Sequence, residues 1–345
     1  MVETRSSLRR SQGISPEAFH AAARDGDVEL LQSFLQRQAP VDMRDDGAAT
    51  TPLIIASHNG HEACVRVLLD GGADINAAKR SGKTALMYSA RRGHLNVLQL
   101  LLQRGADVHQ KDSNENNALY WACDRGHTKC VAALLDAGTD INGHMMNGFT
   151  ALMAAALESH LPVLQLLLQR GADVNQTDKQ GNNALGAACC RGHAACATVL
   201  LDAGASQLNE NGYHVLHPAS AHGYLDVVEV LLKRGADPDM IGMPDSELNI
   251  AQACMFLWKS EHFADVTKFR QKKVLLLLAR WSFWNLQWTS KKLSILLRAR
   301  HNKGEDICAE GSQEESSEVF RDLMVRLIHL SHENEGIFRN VVSYL

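Results

Sequence analysis

The chain has 345 residues, 45% of them hydrophobic, and a formal net charge of −4. This length is enough for one array of small units and a smaller appendage. Residues 1–15 are polar and basic, which argues against a secretory signal and predicts a disordered N-terminus. The most apolar run, residues 274–279, is shorter than the roughly 20 residues that cross a bilayer. We therefore expect a soluble protein of the cytoplasm, with the nucleus as an alternative.

A short motif recurs along the chain at a fixed step of 33 residues. Its first residue is a threonine or asparagine, and a leucine follows two positions later. The five first residues are Thr51, Thr84, Asn117, Thr150 and Asn183. His214 continues the series after 31 residues. A period of this size predicts a stack of similar small units and not a globular domain around a buried catalytic centre.

The segment from Thr51 to Asn76 shows what one unit contains. Thr51 is suited to cap a helix, and Pro52 then occupies the first helical position. Gly60 ends this helix, since glycine tolerates the left-handed turn that closes helices. Residues 61–70 carry apolar residues at helical spacing, and a polar loop follows. Each unit is predicted to be helix, tight turn, helix and hairpin-like loop, which makes the fold all-α.

These units resemble the ankyrin repeat. The resemblance rests on TPLIIA at Thr51, TALMYSA at Thr84 and NALYWAC at Asn117, on Gly-His pairs, and on GAD signatures between units. It implies an ankyrin-repeat solenoid of about seven 33-residue repeats over residues 16–240, the first of them degenerate. Two turns depart from the pattern, at Ser159-His160 and Gly223-Tyr224, and leave the turn geometry there open.

Nothing in the sequence points to catalysis or to a cofactor. Motifs for phosphate loops, zinc proteases and nucleophile elbows are missing, and a single layer of helices forms no deep cleft. The chain has eight cysteines but no C-x-x-C pair, which favours buried thiols in a reducing compartment. One histidine per unit is expected to form hydrogen bonds between turns, without holding a metal. We expect a protein that is not an enzyme.

Repeat arrays present an extended concave surface to their partners. The ankyrin resemblance implies that specificity lies just before the T-P-L position and just before the Gly-His turn. The predicted partner-binding residues are Arg80, Lys83, Arg91, Arg92, Tyr120, Asp124, Arg125, Met146, Phe149, Lys179, Arg191 and Tyr213. Arginine beside aromatic residues is the composition of binding hot spots. It favours a partner protein with an acidic and apolar peptide segment or helix, held along a strip formed by the four arginines at 91, 92, 125 and 191.

Two alternatives to this interpretation remain at the sequence level. The basic residues could merely solvate the surface, and Trp121 could pack into the stack. Nucleic acid is disfavoured as a partner by the negative net charge, and we expect a monomer.

The C-terminal third differs in composition. We predict a degenerate last repeat and a Trp-rich helix over residues 241–300, an acidic linker over 301–318 and a C-terminal helix over 319–345. Trp281, Trp284 and Trp288 fall on one helical face and form a candidate second interface. This helix could cap the array or dock another subunit, although no convincing SOCS-box-like pattern is present. The alternatives to a plain adaptor are a substrate-recognition subunit of a ubiquitin ligase, or a protein that this helix tethers to a membrane surface or to nucleic acid.

The ankyrin resemblance also implies a modification. Loops that end in GAD-x-N are similar to the substrates of an asparaginyl hydroxylase, and Asn76, Asn142 and Asn175 occupy that place. The sequence as a whole predicts a non-enzymatic adaptor that holds one protein on its concave face.

Overall fold

The computed structural model describes residues 15–45, 47–212 and 214–236. Within them lie seven helix pairs, each followed by a loop. The first helices are α1 (Pro16–Asp25), α3 (Pro52–Asn59), α5 (Ala85–Arg92), α7 (Ala118–Asp124), α9 (Ala151–Leu157), α11 (Ala184–Arg191) and α13 (Leu216–Ala221). The second helices are α2 (Val28–Gln36), α4 (Glu62–Asp70), α6 (Leu95–Gln103), α8 (Thr128–Asp136), α10 (Leu161–Gln169), α12 (Ala194–Asp202) and α14 (Leu225–Lys233). A 3₁₀ turn spans Met146–Gly148.

The first residue of the recurring motif caps each first helix of the central repeats. Thr84 Oγ1 accepts a hydrogen bond from the Met87 backbone N–H at 3.3 Å, and Asn117 Oδ1 accepts one from Tyr120 at 2.9 Å. Each bond satisfies one of the N–H groups that a helix start leaves without an intrahelical partner. The predicted all-α repeat, with its cap and its left-handed closing glycine, is confirmed.

The first helices pack more closely against one another than the second helices do. This difference curves the stack, with the first helices and the loops on its inner, concave side. The core is one continuous layer of buried side chains, to which each unit contributes the leucine of its motif, for example Leu86 and Leu119. The thiols of Cys64, Cys123 and Cys130 lie in the same layer.

The recurring histidines join adjacent turns, as the sequence predicted. His127 Nε2 lies 3.1 Å from the Arg91 carbonyl oxygen of the preceding unit and donates its proton to it. The two turns that depart from the sequence pattern are also left-handed, with φ 60° at Ser159 and φ 73° at Gly223. At the second of them, the Tyr224 ring takes the place of the histidine and lies against Gly192. The turn geometry that the sequence left open is therefore that of the other repeats.

Backbone hydrogen bonds also join the tips of neighbouring loops. The N–H groups of Arg80, Ser113 and Lys179 donate to the carbonyls of Ala48, Ser81 and Asn147, at 3.0, 3.0 and 2.7 Å. A further bond joins Glu210 to Gly181 at 3.1 Å.

Within the described ranges this series is interrupted once, between the third and fourth loops. Among the described residues, the equivalent bond from Met146 to Asn114 is missing. The third loop carries Glu115 at φ 58°, whereas the equivalent residue of the second loop is Gly82, which lies close against the next tip. Helices α7 and α9 also pack less closely than the first helices on either side. We call this place the tip gap.

No helix in the described ranges is long and apolar enough to cross a membrane.

Candidate functional site

The concave side of repeats three and four is organised around Trp121, a half-buried residue of α7. The Lys83 Nζ atom lies 4.2 Å from the centroid of its ring, and the Arg91 guanidinium carbon lies 4.9 Å from it. Cations at these distances are attracted to the negative face of an indole. Trp121 therefore does not simply pack into the stack: it serves as a platform for two cations from the neighbouring unit.

Asp112 fixes the orientation of this ring. The indole Nε1–H donates to Asp112 Oδ2 at 3.2 Å, while Oδ1 accepts the backbone N–H groups of Asn114 and Asn116 at 2.9 and 3.0 Å. The residue is 5% exposed. Both carboxylate oxygens are thus engaged by the loop and the indole, so that Asp112 holds the platform in place.

A second aromatic residue extends the platform by one repeat. Tyr88 occupies the position in α5 that Trp121 occupies in α7, and Lys79 Nζ lies 5.5 Å from its ring centroid. The His58 ring meets Tyr88 edge-on at 5.3 Å. Tyr120 meets Trp121 in the same manner, also at 5.3 Å. The concave face of repeats three and four is consequently aromatic and cationic at once.

The three cations of this surface, Lys79, Lys83 and Arg91, are called the cationic triad below. Burial lowers the pKa of Lys83, and the charges of Arg91 and Lys79 lower it further, whereas Asp112 acts in the opposite direction. None of the salt bridges within the described ranges involves a member of the triad. In the part of the chain that the structure describes, the positive charge of the triad is therefore not neutralised by ion pairing.

The four arginines of the predicted strip do not form one line. Arg92 donates from Nε to His58 Nε2 at 3.1 Å, and Arg125 pairs with Asp124 at 3.1 Å. Arg92 and Arg125 share a repeat position with Glu158 and Arg191, so an acidic residue interrupts the series. Arg91 precedes that position by one residue, which turns it about 100° around the helix and toward Trp121. Arg91 lies over Trp121, whereas Arg92 and Arg125 contact His58 and Asp124; the binding role of the four arginines stays a prediction.

The remaining predicted residues lie further along the face. Met146 is 46% exposed in its 3₁₀ turn, beside the tip gap, and Phe149 is half-buried against the core. Arg80, Lys179 and Arg191 are exposed. Four of the predicted residues, Tyr213, Trp281, Trp284 and Trp288, lie outside the described residues.

The three candidate hydroxylation sites share one structural role. The Oδ1 atoms of Asn76, Asn142 and Asn175 accept backbone N–H groups from the next loop at 2.9, 2.9 and 2.7 Å. Each carboxamide thus links two consecutive loops. Their hydroxylation stays a prediction. In the part of the chain that the structure describes, no cluster of three or more His, Cys, Asp or Glu is placed to hold a metal ion.

Sequence reasoning missed Lys79, Tyr88 and Asp112 as parts of this site. The signal for Tyr88 was present, because it stands 33 residues before Trp121 and so faces the same side of the stack. Lys79 and Lys83 lie on one loop tip, which brings both near that side. Asp112 gave no signal, because aspartate is common in turns for local reasons.

Comparisons with known proteins agree with this architecture. A family model described as ankyrin repeats (3 copies) matches residues 19–112, 109–178 and 174–241. The crystal structure of the human ASB11 ankyrin repeat domain aligns with a TM-score of 0.58 and 26% identity, over 64% of this chain and 98% of that one.

Two curated relatives match shorter segments. Ankyrin repeat domain-containing protein 29 of Danio rerio is 48% identical over 56 residues, which are 16% of this chain and 18% of that protein. A putative ankyrin repeat-containing protein of Treponema pallidum (strain Nichols) is 38% identical over 64 residues, 19% of this chain and 22% of its own length. The matches thus span less than a quarter of either relative. On the family model, which covers more than half of its length, this chain belongs to the ankyrin-repeat family.

Proposed function

We propose that this protein is a non-enzymatic adaptor that binds a partner protein on the concave face of its repeats. Ankyrin repeats are in general protein-interaction modules, which supports the coarse function. The observation that carries the finer proposal is the cationic triad stacked on Trp121 and Tyr88, with no ion-pair partner among the described residues. We propose an extended or helical peptide segment with acidic and apolar residues as the ligand.

The chemistry of the face accounts for both parts of this ligand. An acidic side chain between the cations gains charge-assisted hydrogen bonds, which are about twice as strong as neutral ones. Apolar side chains of the partner gain contact area on the exposed Met146 and on the free parts of the rings. Buried aromatic and arginine anchors are the residues whose removal commonly costs about 2 kcal/mol or more at interfaces.

Charge reversal within the triad tests the proposal. We compare the full-length chain with a Lys83→Glu/Arg91→Glu variant in affinity capture, identify the bound proteins and then measure the purified partner directly. The matched control is Arg104→Glu/Arg170→Glu, which changes the net charge equally. Those two arginines form exposed ion pairs with Asp70 and Asp136 at 2.8 and 2.7 Å on the second helices, away from the concave face.

We expect the triad variant to lose at least tenfold in affinity and the control to bind as the wild type does. Circular dichroism checks that both variants remain folded. A partner that binds the triad variant and the wild type equally well would refute the concave-face proposal.

We propose a second contact at Trp281, Trp284 and Trp288 on the sequence pattern alone. These residues lie in the segment 259–303, where eleven Lys and Arg oppose two acidic residues. The same capture experiment with all three changed to alanine should lose a protein different from the one that depends on the triad. Loss of the same protein, or of none, would speak for a cap on the array. The alternative functions also depend on this segment. They are a substrate-recognition subunit of a ubiquitin ligase and a tether to a membrane surface or to nucleic acid.

A further inference from the structure

The cationic triad holds three like charges close together. Lys83 and Arg91 share the ring of Trp121, and the charge of Lys79 also acts on Lys83. Like charges at such range repel one another and would disperse on a flexible surface. Here the attraction to the two aromatic rings of neighbouring repeats holds the three cations on the same face before any ligand arrives.

Two acidic groups beside the triad, Asp112 and Asp124, are already engaged. Asp112 binds the indole and two backbone N–H groups, as described above. Asp124, the α7 carboxylate nearest to Trp121 in sequence, pairs with Arg125. Glu115 is exposed on the third loop tip and appears in no salt bridge of the described residues. Arg80 and Arg92, which are next in sequence to Lys79 and Arg91, add positive charge.

We infer that the triad is an anion-binding subsite that takes a phosphorylated side chain of the partner segment. This inference rests on the proposed function and specifies one residue of its ligand. A phosphorylated serine or threonine carries a charge of about −1.5 to −2 and three strong acceptor oxygens. It matches three cations better than a carboxylate, which carries one charge and two oxygens.

Each member of the triad has a distinct part in this recognition. The planar guanidinium of Arg91 is suited to two parallel hydrogen bonds with phosphate oxygens, whereas the ammonium groups of Lys79 and Lys83 act as point charges. Trp121 is a positioning residue: it holds Lys83 and Arg91 in place and contacts the segment beside the phosphate. Because Trp121 lies under two of the three cations, its ring reports on any anion bound there.

The first experiment uses this ring as a probe in the full-length chain. The protein has five tryptophans, so we label it with 5-fluorotryptophan and assign the Trp121 fluorine resonance from its loss in Trp121→Phe. Inorganic phosphate is then titrated against sodium chloride at constant ionic strength. We expect a saturable shift of the Trp121 resonance with phosphate, and none with chloride.

Two variants decide whether the triad causes the shift. Lys83→Gln/Arg91→Gln should abolish it, while Arg104→Gln/Arg170→Gln, with the same change in charge on the opposite face, should retain it. A shift that grows linearly with phosphate, or that persists in the triad variant, overturns the inference. The unchanged resonances of the other tryptophans and the circular dichroism spectrum show that each variant is folded.

The second experiment distinguishes free phosphate from a phosphorylated side chain. Three peptide pools share random flanking positions and differ only at the central residue, which is phosphoserine, glutamate or serine. We expect the phosphoserine pool to shift the Trp121 resonance at concentrations at least tenfold lower than the glutamate pool or inorganic phosphate. Equal potency of the glutamate pool overturns the phosphate inference and leaves the proposed function standing.

A random single-stranded oligonucleotide is the third arm. If it acts at lower concentration than the phosphoserine pool, the ligand is nucleic acid and the inference is wrong. The proposed function fails in a different way, namely when the captured partner binds the Lys83→Glu/Arg91→Glu variant as tightly as the wild type. The two failures are therefore separable.

Discussion

Replacing Gly93 by alanine should destabilise the protein far more than the same change at Gly105, because Gly93 lies against the histidine of the next turn. Gly93 ends α5 at φ 74°, and a methyl group at its Cβ position would lie 2.5 Å from His127 Nδ1. Gly105 has φ 85°, and its Cβ position has nothing within 4 Å. Gly93→Ala and Gly105→Ala therefore impose similar backbone strain, and only the first displaces a histidine.

The expected loss of unfolding free energy follows from these contacts. A left-handed alanine costs about 1–2 kcal/mol, and the smaller freedom of the unfolded chain returns about 0.4–1 kcal/mol of this. Gly105→Ala should thus cost about 1 kcal/mol. Gly93→Ala adds overpacking of about 1–3 kcal/mol and weakens the His127–Arg91 hydrogen bond, worth about 0.5–1.5 kcal/mol. We expect a total of about 4 kcal/mol.

Urea unfolding of the full-length variants, followed by circular dichroism, measures this difference. Replacing His127 by alanine in the Gly93→Ala background removes the steric conflict. The double variant should therefore lose less unfolding free energy than the sum of the losses in the two single variants. Equal losses in Gly93→Ala and Gly105→Ala would refute the reasoning, because backbone strain alone would then account for both.

Two further predictions concern titration and reactivity. Burial lowers the pKa of His94 below its ordinary value of about 6.5, so the unfolded chain takes up this proton first. The contribution of His94 to the unfolding free energy should be complete above about pH 6.5 and should decrease as the pH falls below this value. In a His94→Gln variant, the urea midpoint should therefore decrease less between about pH 7.5 and 5.5 than it does in the wild type. An equal decrease in the two proteins would contradict this prediction. Burial raises the pKa of the Cys123, Cys189 and Cys190 thiols, but Cys190 is exposed whereas Cys123 and Cys189 are buried. Among the six described cysteines, N-ethylmaleimide should therefore modify Cys190 first in the native full-length chain, as peptide mass spectrometry would show; simultaneous labelling of Cys123 would argue against a closed core.

The helices of the array could be predicted because each is set by local chemistry. A threonine or asparagine that caps, and a glycine that closes the helix, act within one unit, and the sequence shows them at a fixed period. Ser159 was ambiguous because serine rarely adopts a positive φ. The packing of its neighbours holds it there at 60°, an effect that lies beyond the local sequence.

The candidate site was predicted only in part. The sequence identified Lys83, Arg91 and Met146 as exposed on the right side of the stack, because repeat position determines the side. It did not show that Arg91 lies over Trp121 while Arg92 contacts His58, since neighbouring residues of a helix point about 100° apart. Which cation stays unpaired depends on side-chain contacts between units, and periodicity carries no information about these.

The tip gap has a consequence for how the array bends. In a stack where each unit contacts only its neighbours, deformation concentrates at the weakest junction. Among the described residues, the backbone hydrogen bond that joins neighbouring loop tips elsewhere is missing between Asn114 and Met146. A side-chain hydrogen bond from Lys111 Nζ to the His144 carbonyl oxygen, at 2.9 Å, spans these two loops. We expect this junction to be a compliant seam that bends more easily than the junctions on either side of it. The seam lies between the rings of Trp121 and Phe149, so the width of the binding face can adjust to the thickness of what it holds.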